Sequence, residues 1–286
     1  MKPCIVRLGL FLIICFTTGR VQSQVFVNDE EAREKHFIYE VKQIDEFFER
    51  FNNDTSSFIR NVYHNSKTKF TVDRYRLIKS LFNYVSKTWD STLINNFVAS
   101  ITDRKSPCKL DFYGDNWYAE LECRFKYNAN TVSIPLIMRV VTDNHKGAKW
   151  VVAGVGSNPV RSTITVNKLP PSKNFYKCIG PSSQAANFMA LKKAFEDKEN
   201  LSNCFDELFF DRLNAMEFYN AVLSNQIEFM YVKSVRYHFL QDENWIFRVE
   251  YFPRDAMNSG WLINYVKKVS PREIEAYKRK LLGYND

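Results

Sequence analysis

Four histidines, a few carboxylates and four late cysteines are the residues of this chain with chemistry to offer. The histidines are His36, His64, His145 and His238. General acid–base work needs an imidazole and a carboxylate within reach of one proton. The nearest such pair in sequence is Asp143 and His145, but Asp143-Asn144-His145-Lys146-Gly147 reads as a turn, where solvent leaves little to tune either pKa. His36 adjoins a helical stripe, His64 follows Tyr63 in a polar stretch, and His238 stands between Tyr237 and Phe239 on a strand. Glu120 and Glu122 are two apart, so on a strand they share one face, the one opposite an apolar row. That spacing describes the wet face of a sheet. A glycosidase needs two carboxylates brought together from separate elements, which spacing alone does not place. Nucleophile signals are missing: there is no Gly-x-Ser-x-Gly elbow, and Gly154-Val155-Gly156-Ser157 lacks the spacing of a phosphate loop or dinucleotide fingerprint. No catalytic residue is assigned.

Six cysteines are present, and the four beyond the N-terminal region are Cys108, Cys123, Cys178 and Cys204. Without Cys-x-x-Cys or His-x-x-x-His spacing they do not form a metal set, and no metal or cofactor is expected. Cys108 and Cys123 flank an expected hairpin, and Cys178 and Cys204 bracket an expected helix. Two disulfides or four buried thiols are the open alternatives. The remaining clue is aromatic. Tyr113, Trp117, Tyr118, Trp245 and Tyr251 fall on two hairpins, where they could line a cleft for a sugar, a peptide or another apolar ligand, or else fill the core.

The N-terminus bears on where such chemistry would happen. Lys2 and Arg7 precede an apolar run from Leu8 to Phe16, and Thr17 to Ser23 is small and polar. That order is the layout of a secretory signal peptide. Val21 and Ser23 suit the peptidase site, which places the cut before Gln24 and leaves 263 of the 286 residues. The run is too short to span a bilayer, which takes roughly 20 apolar residues, and no membrane span is expected in the mature chain. An uncleaved anchor and a lipidated Cys15 are the rival readings. Losing Lys2, Arg7 and Arg20 takes the net charge of +8 down by three, to +5. Basic residues are scattered among acids, as in Glu196-Asp197-Lys198-Glu199, with no basic stripe, so no nucleic-acid partner is expected. Asn53-Asp54-Thr55 and Asn200-Leu201-Ser202 would be glycosylation acceptors only in a eukaryotic secretory route.

Apolar periodicity predicts the elements that position these residues. Phe37, Val41, Ile44, Phe48 and Phe51 predict a first helix. Tyr75, Ile78, Phe82 and Val85 predict a second, capped near Thr71, and Ile94, Phe97, Val98 and Ile101 a third after Asp90-Ser91. Strict alternation from Trp117 to Phe125 then marks a strand paired with Lys109–Tyr113 across Gly114-Asp115-Asn116, followed by strands at Val132–Thr142 and Trp150–Val155. Residues 158–182, with Pro159, Pro170, Pro171 and Pro181, read as a linker with a short strand at Thr163–Val166. Helices are expected at about 184–197 and 212–224, strands at about 228–240, 244–252 and 260–268. A final helix opens on the capping box Ser270-Pro271-Arg272-Glu273. The fold class is α+β, with curved antiparallel sheets packed on helices in two tandem domains, 24–157 and 183–286. Phe112…Trp117 echoes Phe239…Trp245, and Trp150…Val155 echoes Trp261…Val266, a hint of duplication.

Helices first, then long strands ending in Lys149-Trp150-Val151-Val152-Ala153-Gly154-Val155, resemble the NTF2-like superfamily over about residues 30–157, with a fainter likeness over 183–269. The chain also resembles exported proteins of gut Bacteroidetes. The NTF2-like resemblance implies a cone-shaped domain with a pocket between sheet and helices, in which enzymes of the superfamily use Asp/His pairs. No position here matches such a pair. The expected function is that of an exported, non-enzymatic protein, periplasmic or secreted, binding a small ligand or an envelope protein. The alternatives are an NTF2-like hydrolase or isomerase and an envelope assembly partner.

Overall fold

The computed structural model describes residues 40–54, 73–143, 147–157, 159–160, 178–254 and 258–284. The leader, His36, His64, His145, the strand expected at Thr163–Val166 and most of the linker lie outside them.

The two stretches of alternating sequence form two antiparallel meanders. The first is β2 (Trp117–Tyr127), β3 (Asn130–Thr142) and β4 (Ala148–Val155); the second is β5 (Ile227–Phe239), β6 (Trp245–Phe252) and β7 (Ser259–Lys268). β2 and β5 pair antiparallel from Trp117↔Phe239 to Tyr127↔Ile227. A two-residue strand, β1 (Glu40–Val41), lies parallel to the start of β7. The result is one mixed, seven-stranded sheet in the order β1-β7-β6-β5-β2-β3-β4. The α+β class is therefore plain, but the halves expected as tandem units meet strand to strand within one sheet rather than carrying a sheet each. The two sequence echoes divide: Trp117 opens the first strand of one meander and Trp245 the second strand of the other, whereas Trp150…Val155 and Trp261…Val266 fall on the third strand of each.

Six α-helices are described: α1 (Ile44–Asn52), α2 (Arg74–Ser80), α3 (Ser91–Ile101), α4 (Ala190–Glu196), α5 (Leu213–Leu223) and α6 (Pro271–Leu281). The first five pack on one face of the sheet, where Phe47, Phe51, Phe97 and Phe218 meet Trp117, Phe125, Trp150, Phe239 and Phe247 in the main core. α6 alone covers part of the other face. Its Ile274, Tyr277 and Leu281 pack on Tyr118, Ile137, Leu240 and Ile246. Ser270 and Glu273 close the capping box at its start, where a serine hydroxyl and a glutamate carboxylate satisfy otherwise orphaned helix N–H groups. Its far end is fastened by the Arg212 guanidinium, which donates to the carbonyls of Leu282 and Ala153. None of these helices is long and apolar enough to cross a membrane.

Several local expectations are corrected. Val41 belongs to β1, because the open edge of β7 offers it a parallel partner, and α1 starts only at Ile44. α2 is capped by Asp73, whose side chain accepts from Arg76 N, and ends at Ser80. Phe82 beyond it bridges to Ile263, and Val85 is exposed. Lys109–Tyr113 is not a strand. The N–H and carbonyl of Asp111 are taken by the Gln241 side chain at 3.0 and 2.8 Å, and Tyr113 N donates to the Asp111 carboxylate at 2.9 Å, which turns the chain instead. Cys108 and Cys123 consequently do not face each other across a hairpin. Both are free thiols, Cys123 in the core and Cys108 on a loop whose carbonyl the Arg74 guanidinium clasps. Cys178 and Cys204 are joined by a disulfide.

Candidate functional site

The sheet opens where its two central strands part. β5 and β6 pair only from Arg236↔Glu250 to Phe239↔Phe247, so the earlier part of β5 has no strand partner on that side among the described residues. Two bulges in β5, at Lys233 and Met230 opposite β2, explain the divergence, since an extra residue bends the strand and sharpens its twist. The fork between β5 and β6 holds a cleft of about 980 Å³. Its walls come from both faces of the sheet: Val235 and Tyr237 from the core face, Ser234 and Arg236 from the opposite one. The cleft therefore passes around the strand edge rather than lying on one face.

The core-side wall is aromatic. Tyr251 and Trp261 are directly opposed on β6 and β7, with ring centroids 5.3 Å apart, and Trp261 meets Tyr237 at 4.9 Å. The three rings step outward, from fully buried Tyr237 to Tyr251, which is 44% exposed. Tyr237 at the inner end is the unusual member. Its hydroxyl is buried and makes no hydrogen bond to any described residue, whereas a buried hydroxyl ordinarily finds a partner. Burial pushes its pKa upward, with Asp45 adding to the push, so the hydroxyl keeps its proton and is a donor. Beside it, Gln184 donates to Asp45 at 3.2 Å, and burial raises the Asp45 carboxyl as well.

The opposite wall is charged and internally paired. Arg236 donates to Glu250 at 2.9 Å and to Glu120 at 3.0 Å. Glu122 accepts from Lys233 at 3.2 Å and from Ser133 and Ser234 at 3.3 Å each. Behind Glu120, His238 Nε2 contacts the carboxylate at 2.9 Å, and Nδ1 contacts the Tyr277 hydroxyl of α6 at 2.7 Å. One assignment satisfies the whole chain: Nε2–H donates to Glu120, and the Tyr277 hydroxyl donates to Nδ1. The hydrogen bond from His238, helped by Arg236, holds Glu120 down at about 2, so it is ionised at neutral pH. Burial pushes the His238 pKa down and keeps the ring neutral. The imidazole is 3% exposed with both nitrogens engaged, so it offers no free edge to a substrate. Its visible work is to join α6 to the sheet behind the cleft.

Compared with protein-family models, with curated proteins and with solved structures, the chain has no significant match in any of the three. The site is accordingly read from its own residues.

Of the aromatics singled out by sequence, only Tyr251 lines the cleft. Trp117 and Trp245 are main-core side chains, Tyr118 lies under α6, and Tyr113 is exposed on the turn before β2. Asp143 accepts from Gly147 N at 2.6 Å, closing its own turn. Among the described residues, no group of three or more histidine, cysteine or acidic side chains is placed to hold a metal ion. Tyr237, Trp261, Arg236, Glu120 and Glu250 were not identified as a site from sequence. One signal was present. The polar positions of three strands (Glu120 and Glu122; Ser234, Arg236 and His238; Arg248 and Glu250) carry both signs of charge, and pairing sets Arg236 between Glu120 and Glu250. Only the register turns that pattern into a constellation.

Proposed function

We propose that this protein is a non-catalytic binding protein that holds a small ligand in the cleft at the fork of β5 and β6. The observation that carries the reading is the cleft itself, in which the stepped rings of Tyr237, Trp261 and Tyr251 face the Arg236 carboxylate network. Beneath its aromatic wall the Tyr237 hydroxyl is buried without a partner among the described residues, which costs about 1–3 kcal/mol. The charged groups argue against catalysis. Glu120 is held far below the range of a working acid, and His238 is engaged on both sides, whereas a general acid or base works best with a pKa near the operating pH and a free edge toward substrate.

Export of the chain, with the cut before Gln24, belongs to the same proposal. The Cys178–Cys204 disulfide supports it, because such bonds persist in oxidising compartments. The order of helices followed by a meander over residues 44–155 supports kinship with NTF2-like domains, although this cleft lies at a strand fork rather than under the first meander.

A thermal-shift screen of small metabolites tests the binding reading. At least one compound is expected to raise the unfolding temperature of the parent and to raise that of Tyr251→Ala by less. Without a ligand, the Tyr237→Phe protein is expected to be as stable as the parent or more so, because an unsatisfied buried hydroxyl has been removed. A screen in which nothing stabilises the parent, or in which a stabilising compound is consumed, contradicts the proposal.

A further inference from the structure

The charge and ring geometry of the cleft specify the chemistry of its occupant. We propose that the ligand is a neutral glycan, bound with a sugar face against Tyr251 and its hydroxyls on the Arg236 network; this rests on the cleft being a binding site.

Charge balance is the first argument. The charged lining residues are Lys42, Lys233 and Arg236 against Glu120, Glu122 and Glu250, three of each sign. Arg236 and Glu122 are already paired with their neighbours. An anionic or cationic ligand would meet no net counter-charge and would compete with those pairs. A purely apolar ligand would strip water from the network without replacing its hydrogen bonds, which is costly. A neutral polyol does neither. Its hydroxyls both donate and accept, so they can extend a network that is balanced in charge but still has hydrogen-bonding capacity. Arg236 uses its Nε–H and one Nη1–H on carboxylates, and a guanidinium carries five N–H donors.

Ring geometry is the second argument. Tyr251 and Trp261 meet at 56°, a bent wall with Tyr251 outermost and 44% exposed. A pyranose has an apolar C–H face and a polar rim, which suits an aromatic ring whose face is apolar and whose surroundings are wet.

The same cleft is a poor template for an extended peptide. Strand addition needs an unbroken edge of backbone donors and acceptors in register. Here Asn187 Nδ2 already donates to the carbonyl of Val232 at 3.0 Å, and the bulges at Lys233 and Met230 interrupt the pleat of β5.

The test uses the chain as its exporting host processes it, applied to one array of neutral, uronate-bearing and sulfated glycans and to a second array of extended peptides. Hits are titrated by tryptophan fluorescence. The expected result is binding to one or more neutral glycans, with affinity falling about tenfold or more in Tyr251→Ala and staying within about twofold of the parent in Tyr251→Phe. Tyr251 is exposed enough for both variants to fold, which circular dichroism would verify. Binding confined to charged glycans, or neutral-glycan binding unchanged in Tyr251→Ala, overturns the inference. Peptide binding that depends on Tyr251 overturns the glycan assignment and leaves the cleft as the binding site. Silence on both arrays, together with no stabilising metabolite in the thermal screen, overturns both.

Discussion

At the scale of single residues, the Tyr277–His238–Glu120 chain makes this fold sensitive to acid. Burial lowers the His238 pKa in the folded protein, while the unfolded imidazole titrates near 6.5. Below that value the unfolded chain takes up a proton that the folded chain resists. Stability is therefore complete above about pH 6.5 and declines as the pH falls through the folded value. Glu120 adds a contribution of the same sign. Its carboxylate, held at about 2 chiefly by the His238 hydrogen bond, contributes stability that is complete above the free glutamate value and lost as the pH falls toward about 2. The urea midpoint is predicted to drop between about pH 7.5 and about pH 5 in the parent, and His238→Gln is predicted to flatten that drop. The same substitution should lower stability at the higher pH by about 1–3 kcal/mol, because Glu120 and Tyr277 lose a buried partner. A parent whose midpoint is flat across this range would contradict the neutral, doubly engaged imidazole. Little of this was legible from sequence. His238 between Tyr237 and Phe239 marks one polar position in a buried strand, but its partners lie 118 residues upstream and 39 downstream in the chain. Contacts that distant depend on strand register and helix docking, which local periodicity does not encode.

At the scale of elements, local chemistry was the best guide where it is strong. The capping box at Ser270, the Asp90 cap of α3 and the alternation in β2 and β6 form where their residues require. Sequence misled where a partner far along the chain outbid local pattern. Val41 pairs with β7 instead of joining α1, and Gln241 draws Lys109–Tyr113 out of the sheet. The β1–β7 pairing requires a glycine at one of its two registered positions. Gly260 has φ +86°, and a Cβ there would stand 2.0 Å from the Val41 carbonyl oxygen. Gly260→Ala is predicted to cost about 1–3 kcal/mol for the left-handed backbone alone, with the clash against β1 added to it. Hydrogen exchange should locate the loss at Glu40–Val41 and the start of β7. An unchanged exchange pattern with full stability would mean that β1 does not pair as described.

At the scale of the whole molecule, the decisive junction is β2 against β5, which merges both meanders into one sheet. The proline-containing stretch and the repeated helix-then-strand order suggested two units, and nothing in either half announces that its first strand seeks the first strand of the other. With one sheet and one main core running through both halves, the chain is predicted to unfold in a single transition, with calorimetric and van't Hoff enthalpies in agreement. Two resolved transitions would mean that the halves are independent after all. The junction also creates the site. β5 is held by β2 along its length but by β6 at only four residue pairs, and the cleft opens in what β6 leaves uncovered.

The most direct test of the binding cleft is a crystal structure of the protein purified from its native host. The account predicts a bound molecule against Tyr251 and Trp261, with polar atoms at hydrogen-bonding distance from the Arg236 network. A ligand seated elsewhere, or a cleft closed by side chains, would contradict it.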